Sequence, residues 1–496
     1  MNNILTVLNE TPDAILIDSE EGSITYGQSF TKIEKIIKVL TANEAKTVAI
    51  LADNQPDWIY IDLACQIKSI CLIPLPLFFS DRQLQHAMRS ADVDLIFTDQ
   101  LERITPLVGL KDNNTTLNNS LHACKITHEN IAEKPEGTEK ITFTSGSTGD
   151  PKGVCLSTEQ QWSVARSLAD AVDMKPIRHL CLLPLSTLLE NIAGVYAPIL
   201  AGGSIVLSPL EDLGFNGSAE FQLEKLLNTI ERVQPNTIVL LPQLLLTLVN
   251  AVESGWKAPT SLKFIAVGGG KVAPHLIVRA RQNNLPVYEG YGLSECVSVV
   301  SLNTSANDKH GSVGKPLPHI KIKIKNREIY VDGQSFLGYL NESQSWHPSS
   351  VATGDLGHID NEGYLYIDGR KKNILVSSYG RNINPEWVES ELLSHPLIQQ
   401  CVVLGDARPY CCALIFPRFT NMNDSSIQQL IDDTNQRLPD YARIRNWLRL
   451  EKPLSSNDEL LTGNGRPKRI QIAKCYQKEI ENMYSNLKPY IKEQCV

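Results

Sequence analysis

The chain has 496 residues, 42% hydrophobic and 21% charged, with a formal charge of −8. That length exceeds one ordinary domain and suits a large α/β domain with a smaller one, while the composition excludes a disordered chain. The acidic balance argues against a nucleic-acid surface, so no nucleic-acid partner is expected.

The N-terminus, MNNILTVLNETPDAILID, has no basic start followed by a long apolar run, so no secretory signal is expected. The most apolar stretch, Thr237 to Val249, is interrupted by Pro242 and Gln243. It falls short of the roughly 20 residues that span a bilayer, so no transmembrane segment and a cytoplasmic location are expected. The eleven cysteines are odd in number and lack Cys-x-x-Cys spacing. Cys411 and Cys412 lie in an apolar strand-like run and read as packed thiols in a reducing compartment, with no structural zinc.

In chain order, KTVAILADN (46–54) reads as a buried strand, QPDWIYIDLACQIKSI (55–70) as a helix, and CLIPLPL (71–77) and VDLIFTD (93–99) as further strands. HLCLLPL (179–185), GSIVLS (203–208), TIVLLP (237–242), LKFIAVGGG (262–270) and LPVYEGYG (285–292) continue the alternation. Strands separated by helices of this length predict parallel βαβ units, with ligands at the strands' carboxyl ends. Near residue 310 the pattern changes: KIKIKNREIYVDG (321–333) alternates as an antiparallel pair does, and GHIDNEGYLYIDGR (357–370) predicts a hairpin around Asn361 to Gly363. Asn384-Pro385-Glu386 is a helix start, QQCVVLGDARPYCCALIFP (399–417) predicts two strands, and 470–493 a charged amphipathic helix. The domain boundary is placed near 369, giving units 1–369 and 370–496 without internal repeats.

The stretch TFTSGSTGDPKG (142–153) packs five hydroxyls and three glycines around Lys152. Glycines allow close backbone approach, and hydroxyls, amides and an ammonium all donate, so phosphate is the natural guest. The same residue types also build ordinary surface turns. A Walker A loop is excluded, because the required Gly-Lys-Ser/Thr after four intervening residues is missing. Four later stretches strengthen the phosphate reading: YGLSE (291–295), TGDLG (353–357), DGRKKNILVSSYGRNINP (368–385) and LTGNGRPKR (461–469). In TGDLG, Asp355 follows a glycine turn, where it could accept from two sugar hydroxyls or simply form an Asx turn.

In order and spacing these stretches resemble those of the acyl-adenylate-forming (AMP-binding) superfamily, and the resemblance covers essentially the whole chain. LPLSTLLEN (183–191) looks closest to the matching motif of fatty acyl-CoA synthetases. The resemblance implies an α/β fold: a large N-terminal domain of parallel and mixed sheets with helices, and a small α+β C-terminal lid on a hinge. It implies an AMP-forming acid–thiol ligase that uses ATP and Mg2+ to convert a carboxylic acid, here a fatty acid, into acyl-AMP. A thiol then displaces AMP, the acceptor being CoA or the phosphopantetheine arm of an acyl carrier protein.

Residue by residue, the resemblance implies that Thr144, Ser145, Gly146, Ser147, Thr148, Gly149 and Lys152 cradle the outer phosphates. Glu295, with Thr148, would hold Mg2+, and Ser294 replaces a usual threonine. Gly268, Gly269, Gly270, Tyr291 and Gly292 would flank adenine, Asp355 would bind the ribose hydroxyls, and Arg370 the ribose or phosphate. Lys372 falls at the hinge and Gly380 at the lid loop lining the thiol tunnel. The acyl pocket would be lined by segments around Gln243, Gly268 to Gly270 and Gly292 to Val300, with Glu190 in a nearby motif. Two departures stand out: Thr187 replaces a common histidine, and Arg466 stands where the adenylation lysine normally sits, with Lys468 as the other candidate cation. Arginine keeps the charge but presents a planar fork of different reach. A nucleotide-binding protein that adenylates poorly is therefore an alternative of a different class.

Overall fold

The computed structural model describes residues 7, 10–20, 22–108, 115–117, 121–126, 132–144, 151–216, 220–455, 458–462 and 465–485. Among these, two large mixed sheets dominate the N-terminal part. One runs in the strand order 315–316, 298–302, 287–293, 264–267, 237–240, 178–180, 204–206, 15–19, 22–25. The other runs 338–339, 152–156, 140–144, 71–74, 47–51, 95–98, 122–125, 115–116.

The expected parallel pairing is present where the apolar runs predicted it. Thr47–Leu51 lies between Cys71–Pro74 and Leu95–Thr98, parallel to both. Its five residues are all buried because both faces are covered. Val48 and Ile50 join the core between the two sheets, while Ala49 and Leu51 pack on the outer side with the helix Asp81–Ser90. The second sheet repeats this logic: Phe264 faces the shared core, and Ile265 and Val267 face the helices Leu223–Val233, Pro242–Glu253 and Pro274–Gln282. The most apolar stretch is thus a strand, Thr237–Leu240, running into a helix begun by Pro242. No helix among the described residues is long and apolar enough to cross a membrane.

Between the sheets, buried polar groups meet at a π-helix, Asn191–Tyr196. Lys140 Nζ, 1% exposed, pairs with Asp62 (3.0 Å) and donates to Asn191 and the Tyr196 hydroxyl (2.6 Å each). Asn191 Nδ2 and Tyr196 Oη donate to the other Asp62 oxygen at 2.9 and 2.6 Å. Glu190, one residue earlier, bonds His179 Nε2 (2.9 Å), whose Nδ1 faces Thr237 Oγ1 (2.8 Å). Every member therefore has a partner, as buried charges require. A Cβ at Gly194 would lie 2.6 Å from Glu190 Oε1 and 2.9 Å from His179 Nε2, so only glycine fits there.

A four-stranded antiparallel sheet follows, in the order Ile320–Lys325, Glu328–Gly333, Val351–Ile359, Leu365–Arg370. Both predicted hairpins are in it, the second turning at Gly363 with φ +86°. The smaller C-terminal part is built on Ile398–Leu404, Cys411–Pro417 and Ile444–Arg449. Asn384 caps the helix Pro385–Leu393, accepting from the Glu386 and Trp387 amides. Cys411 and Cys412 are both buried and face opposite sides of this sheet, and burial pushes the Cys411 thiol up to about 12. All ten described cysteines are free thiols.

Three expectations differ in detail. The strand expected over 179–185 is only Arg178–Leu180, because the chain turns at Pro184 to deliver Glu190 and the π-helix. The single helix expected over 470–493 is two, Arg469–Cys475 and Gln477–Ser485; Tyr476, at φ −103° and ψ 26°, breaks it, and Tyr484 then packs on Tyr410 at 4.9 Å. Its end beyond 485 lies outside the described residues. Asp355 is not in a turn: it lies within the strand Val351–Ile359, after Gly354 at φ +69°.

Candidate active site

The site forms where the nine-stranded sheet, the four-stranded sheet and the C-terminal part meet. Phe264–Val267 and Val287–Leu293 run parallel, placing Gly268 to Gly270 beside Gly290 to Gly292 at their carboxyl ends. A Cβ on Gly268 would approach the Gly290 carbonyl at 3.2 Å, and one on Gly292 would overlap the Ser298 carbonyl at 1.6 Å. After Gly292 the chain makes one 3-10 turn, Ser294–Cys296, then places Val297 and Ser298 at φ +58° and +94°. A β-branched residue at positive φ is strained, and here the strain sits two residues after Glu295.

Asp355 is the hub. It is 3% exposed, pairs in register with Arg370 on the neighbouring strand, and receives Arg370 Nε at 2.8 Å. Its other oxygen accepts from the Tyr291 hydroxyl at 2.5 Å. Arg370 also donates to the Thr353 carbonyl, and the Thr353 hydroxyl accepts the Asp355 amide. Burial raises the Asp355 pKa, opposed by Arg370 and the Tyr291 hydrogen bond; burial and the adjacent Asp355 hold Tyr291 protonated far above neutral pH. Glu289, on the same strand as Tyr291, is pushed up to about 7 by burial, against the pull of Lys271 and Arg281.

The C-terminal basic loop reaches this cluster. Thr462 N bonds the Arg466 carbonyl and Lys468 N the Leu460 carbonyl, forming a small hairpin closed by Leu461 opposite Pro467. Arg466 Nη2 donates to the Gly269 carbonyl at 2.7 Å. Although its side chain keeps contact with solvent, the crowding around it and Arg370 lower its pKa, with Glu386 and Asp355 opposing. Arg469 turns the other way, to Glu389 and Glu386 of the small domain. The Lys468 side chain, unlike its backbone, has no hydrogen-bond or ion-pair partner among the described residues. The structure therefore brings Arg466, not Lys468, into contact with the glycine segment.

Of the phosphate loop, Ser145, Gly146, Ser147, Thr148 and Gly149 lie outside the described residues. Its flanks are antiparallel, Thr144 opposite Lys152. Lys152 Nζ pairs with Glu342 Oε1 (2.8 Å) and lies 4.9 Å from the centre of the Tyr339 ring. The same tyrosine donates its hydroxyl to Glu295 Oε1 at 2.8 Å. Glu295 Oε2 has no partner among the described residues, and a free carboxylate oxygen is a fitting ligand for a hard cation such as Mg2+. Sequence reasoning missed Tyr339 and Glu342, which lie in a GYLNE stretch without evident chemistry.

Three expected residues stand apart from the hub. Lys372 lies in a turn just after Arg370, with Asn373 N and Ile374 N both bonded to the Arg370 carbonyl. Gly380, at φ +74°, sits in a small hairpin whose hydrogen bonds stay within the small domain, beside Tyr379, which is 77% exposed. Glu190 is fully buried against His179 and the Leu183 amide, so it does not face a pocket. With Cys181 it forms a His/Cys/acid trio, and its hydrogen bonds account for it as core. A further contact between the two parts is made by His275, whose ring nitrogens lie 2.7 Å from Ser394 Oγ and 3.1 Å from Glu391 Oε2.

Comparison with known proteins agrees with this geometry. The family described as AMP-binding enzyme matches residues 6–340, and its C-terminal domain matches 372–488. The 2-succinylbenzoate–CoA ligase of Bacillus subtilis (strain 168) is 26% identical over 476 residues, covering 91% of this chain and 94% of the relative. That of Bacillus mycoides (strain KBAB4) is 29% identical over 482 residues, covering 91% and 95%. Among solved structures, the O-succinylbenzoate Coenzyme A synthetase from Bacillus subtilis in complex with AMP superposes with a TM-score of 0.76 at 24% identity, covering 94% of this chain and 97% of that one. The anthranilate CoA ligase AuaEII in complex with anthranoyl-AMP gives 0.80 at 17%, covering 96% and 98%. With two sheets and a smaller C-terminal domain meeting at the Asp355 cluster, the chain belongs to the AMP-binding enzyme family and is an adenylate-forming acid–thiol ligase.

Proposed function

We propose that the protein uses ATP to join a carboxylic acid to CoA, and that the acid is aromatic. A carboxylate oxygen attacks the α-phosphorus and pyrophosphate leaves; the thiol sulfur of CoA then attacks the acyl carbon, loses its proton, and AMP departs. The observation that carries the reading is the buried Asp355, held by Tyr291 and Arg370, with Arg466 arriving from the C-terminal domain on the Gly269 carbonyl. Asp355 offers its carboxylate to the ribose hydroxyls, the Gly268 to Gly270 and Tyr291 segments flank the base, and Arg466 stabilises negative charge between carboxylate and α-phosphate. Thr144 to Gly149 and Lys152 receive the outer phosphates. Glu295 and Thr148 would hold Mg2+, which would neutralise phosphate charge when bound.

The chain divides at 369, with Lys372 in the hinge and 370–496 as a lid. The lid orientation presenting Arg466 is the one suited to adenylation; the Gly380 hairpin serves the thiol step after rotation. The aromatic reading rests on relatives named for 2-succinylbenzoate over nearly the whole chain. It replaces the fatty acid suggested by LPLSTLLEN, whose Glu190 is spent inside the core.

The test is carboxylate-dependent exchange of labelled pyrophosphate into ATP across 2-succinylbenzoate, anthranilate, benzoate and fatty acids of four to sixteen carbons, followed by thioester formation with CoA or a phosphopantetheinylated carrier protein. Exchange confined to fatty acids overturns the aromatic reading. Transfer to the carrier alone overturns CoA as acceptor.

A further inference from the structure

Tyr339 touches both charged groups assigned to the triphosphate and its cation, and the backbone around it fixes where it stands. Gly338 and Tyr339 pair with Cys155 and Val154, three and two residues beyond Lys152 on the same strand. At the other end of the segment, Phe336 N bonds the Glu295 carbonyl at 2.9 Å, and Phe336 packs edge-to-face on the Tyr339 ring at 4.9 Å. The Tyr339 amide donates to Ser345 Oγ and its carbonyl accepts from Trp346 Nε1, at 2.8 and 2.9 Å. Gly338, at φ +138°, lets Trp346 close against the segment: a Cβ there would sit 2.6 Å from its ring.

The side chain is thus a short strut. Its ring supports the Lys152 ammonium, which Glu342 also holds, and its hydroxyl occupies one oxygen of Glu295 while leaving the second free. A carboxylate fastened through one oxygen presents the other in a defined direction, and such outer contacts commonly change metal affinity by tenfold to a hundredfold when removed. Burial and the neighbouring Glu295 raise the phenol pKa, so the hydroxyl remains a donor throughout the working pH range.

We propose that Tyr339 is a positioning residue that sets the spacing between the phosphate-binding Lys152 and the cation-binding Glu295. The proposal rests on the roles given to those two residues above. Its two contacts separate by mutation. Tyr339→Phe keeps the ring and loses the hydroxyl; Tyr339→Leu loses both.

The experiment is calorimetric titration of the full chain with ATP in EDTA, and with ATP at increasing Mg2+, for wild type, both Tyr339 variants, Lys152→Ala and Glu295→Gln, each checked for an unchanged thermal transition. Tyr339→Phe should bind metal-free ATP within about twofold of wild type, while the Mg2+ needed for half-maximal tight binding rises about tenfold or more. Tyr339→Leu should in addition weaken metal-free ATP about two- to fivefold, as loss of a solvent-exposed cation–π contact does. A wild-type Mg2+ dependence in Tyr339→Phe, with Glu295→Gln impaired, overturns the proposal and spares the site assignment. If Glu295→Gln and Lys152→Ala both bind as wild type, the assignment beneath it falls as well. A Mg2+ defect in Tyr339→Phe without one in Glu295→Gln also overturns it, because the effect would not pass through that carboxylate.

Discussion

Arg466→Ala distinguishes a transition-state contact from a simple lid contact, because the two predict different magnitudes. The side chain contributes one hydrogen bond, 2.7 Å to the Gly269 carbonyl, from a residue open to solvent. The loop's shape is kept by backbone bonds between Thr462 and Arg466 and between Leu460 and Lys468, which alanine leaves intact. Losing the contact should therefore cost lid docking about 1 kcal/mol, or about fivefold. Losing a donor aimed at charge developing between carboxylate and α-phosphate should cost about a hundredfold to a thousandfold in rate. Arg466→Lys keeps the charge but not the fork, so it should fall between, about tenfold below wild type, and Lys468→Ala should stay within about threefold. The assay is pyrophosphate–ATP exchange, with thioester formation from preformed acyl-AMP measured alongside. The second reaction bypasses adenylation and should drop little in Arg466→Ala. Exchange in Arg466→Ala within fivefold of wild type would refute the argument and leave Arg466 as a lid contact. A larger loss in Lys468→Ala than in Arg466→Ala would transfer the role to that lysine.

Asp355→Asn keeps one acceptor for Tyr291 or Arg370 but removes the charge that Arg370 faces, so AMP binding measured by calorimetry should weaken at least tenfold; wild-type affinity would contradict the ribose assignment. Gly292→Ala drives a methyl into the Ser298 carbonyl, so it should lower the thermal midpoint and abolish exchange, and a variant as stable as wild type would mean the turn is not as described. The raised Glu289 pKa, about 7 against 4.5 unfolded, means that the fold favours the protonated carboxyl. Its contribution is complete below pH 4.5 and is lost as pH rises through 7, about 3 kcal/mol in all. Denaturant unfolding at pH 5 and pH 8 should show that loss in wild type and not in Glu289→Gln; equal slopes with pH in the two proteins would refute it.

The sequence made the sheet strands legible because their burial on both faces leaves uninterrupted apolar runs such as Thr47–Leu51, and the hairpin legible because Gly363 supplies the positive φ its turn needs. The π-helix was invisible, since nothing in NIAGVY departs from an ordinary helix until the buried partners of Glu190 and Asn191 are known. The parallel strand Ile444–Arg449 was missed because it is only half-buried and carries three cationic or amide side chains among its six residues. In the site, Tyr291, Asp355 and Arg370 carried recognisable motifs, and their side chains meet in space. Tyr339 did not, because the partner of its hydroxyl lies 44 residues away and a tyrosine after a glycine has no chemistry of its own to read.

The adjacent residues Glu190 and Asn191 fasten the π-helix to opposite neighbours: Glu190 to His179 of one sheet, Asn191 to Lys140 of the other. Neither sheet can fold far ahead of its companion: Lys140 and its counter-ion Asp62 both belong to one of them, and until Asn191 and Tyr196 arrive from the other that buried pair lacks the hydrogen bonds that complete it. Half-assembled states of the large domain are thereby raised in energy, and its two sheets should be lost together on heating, in a single cooperative transition.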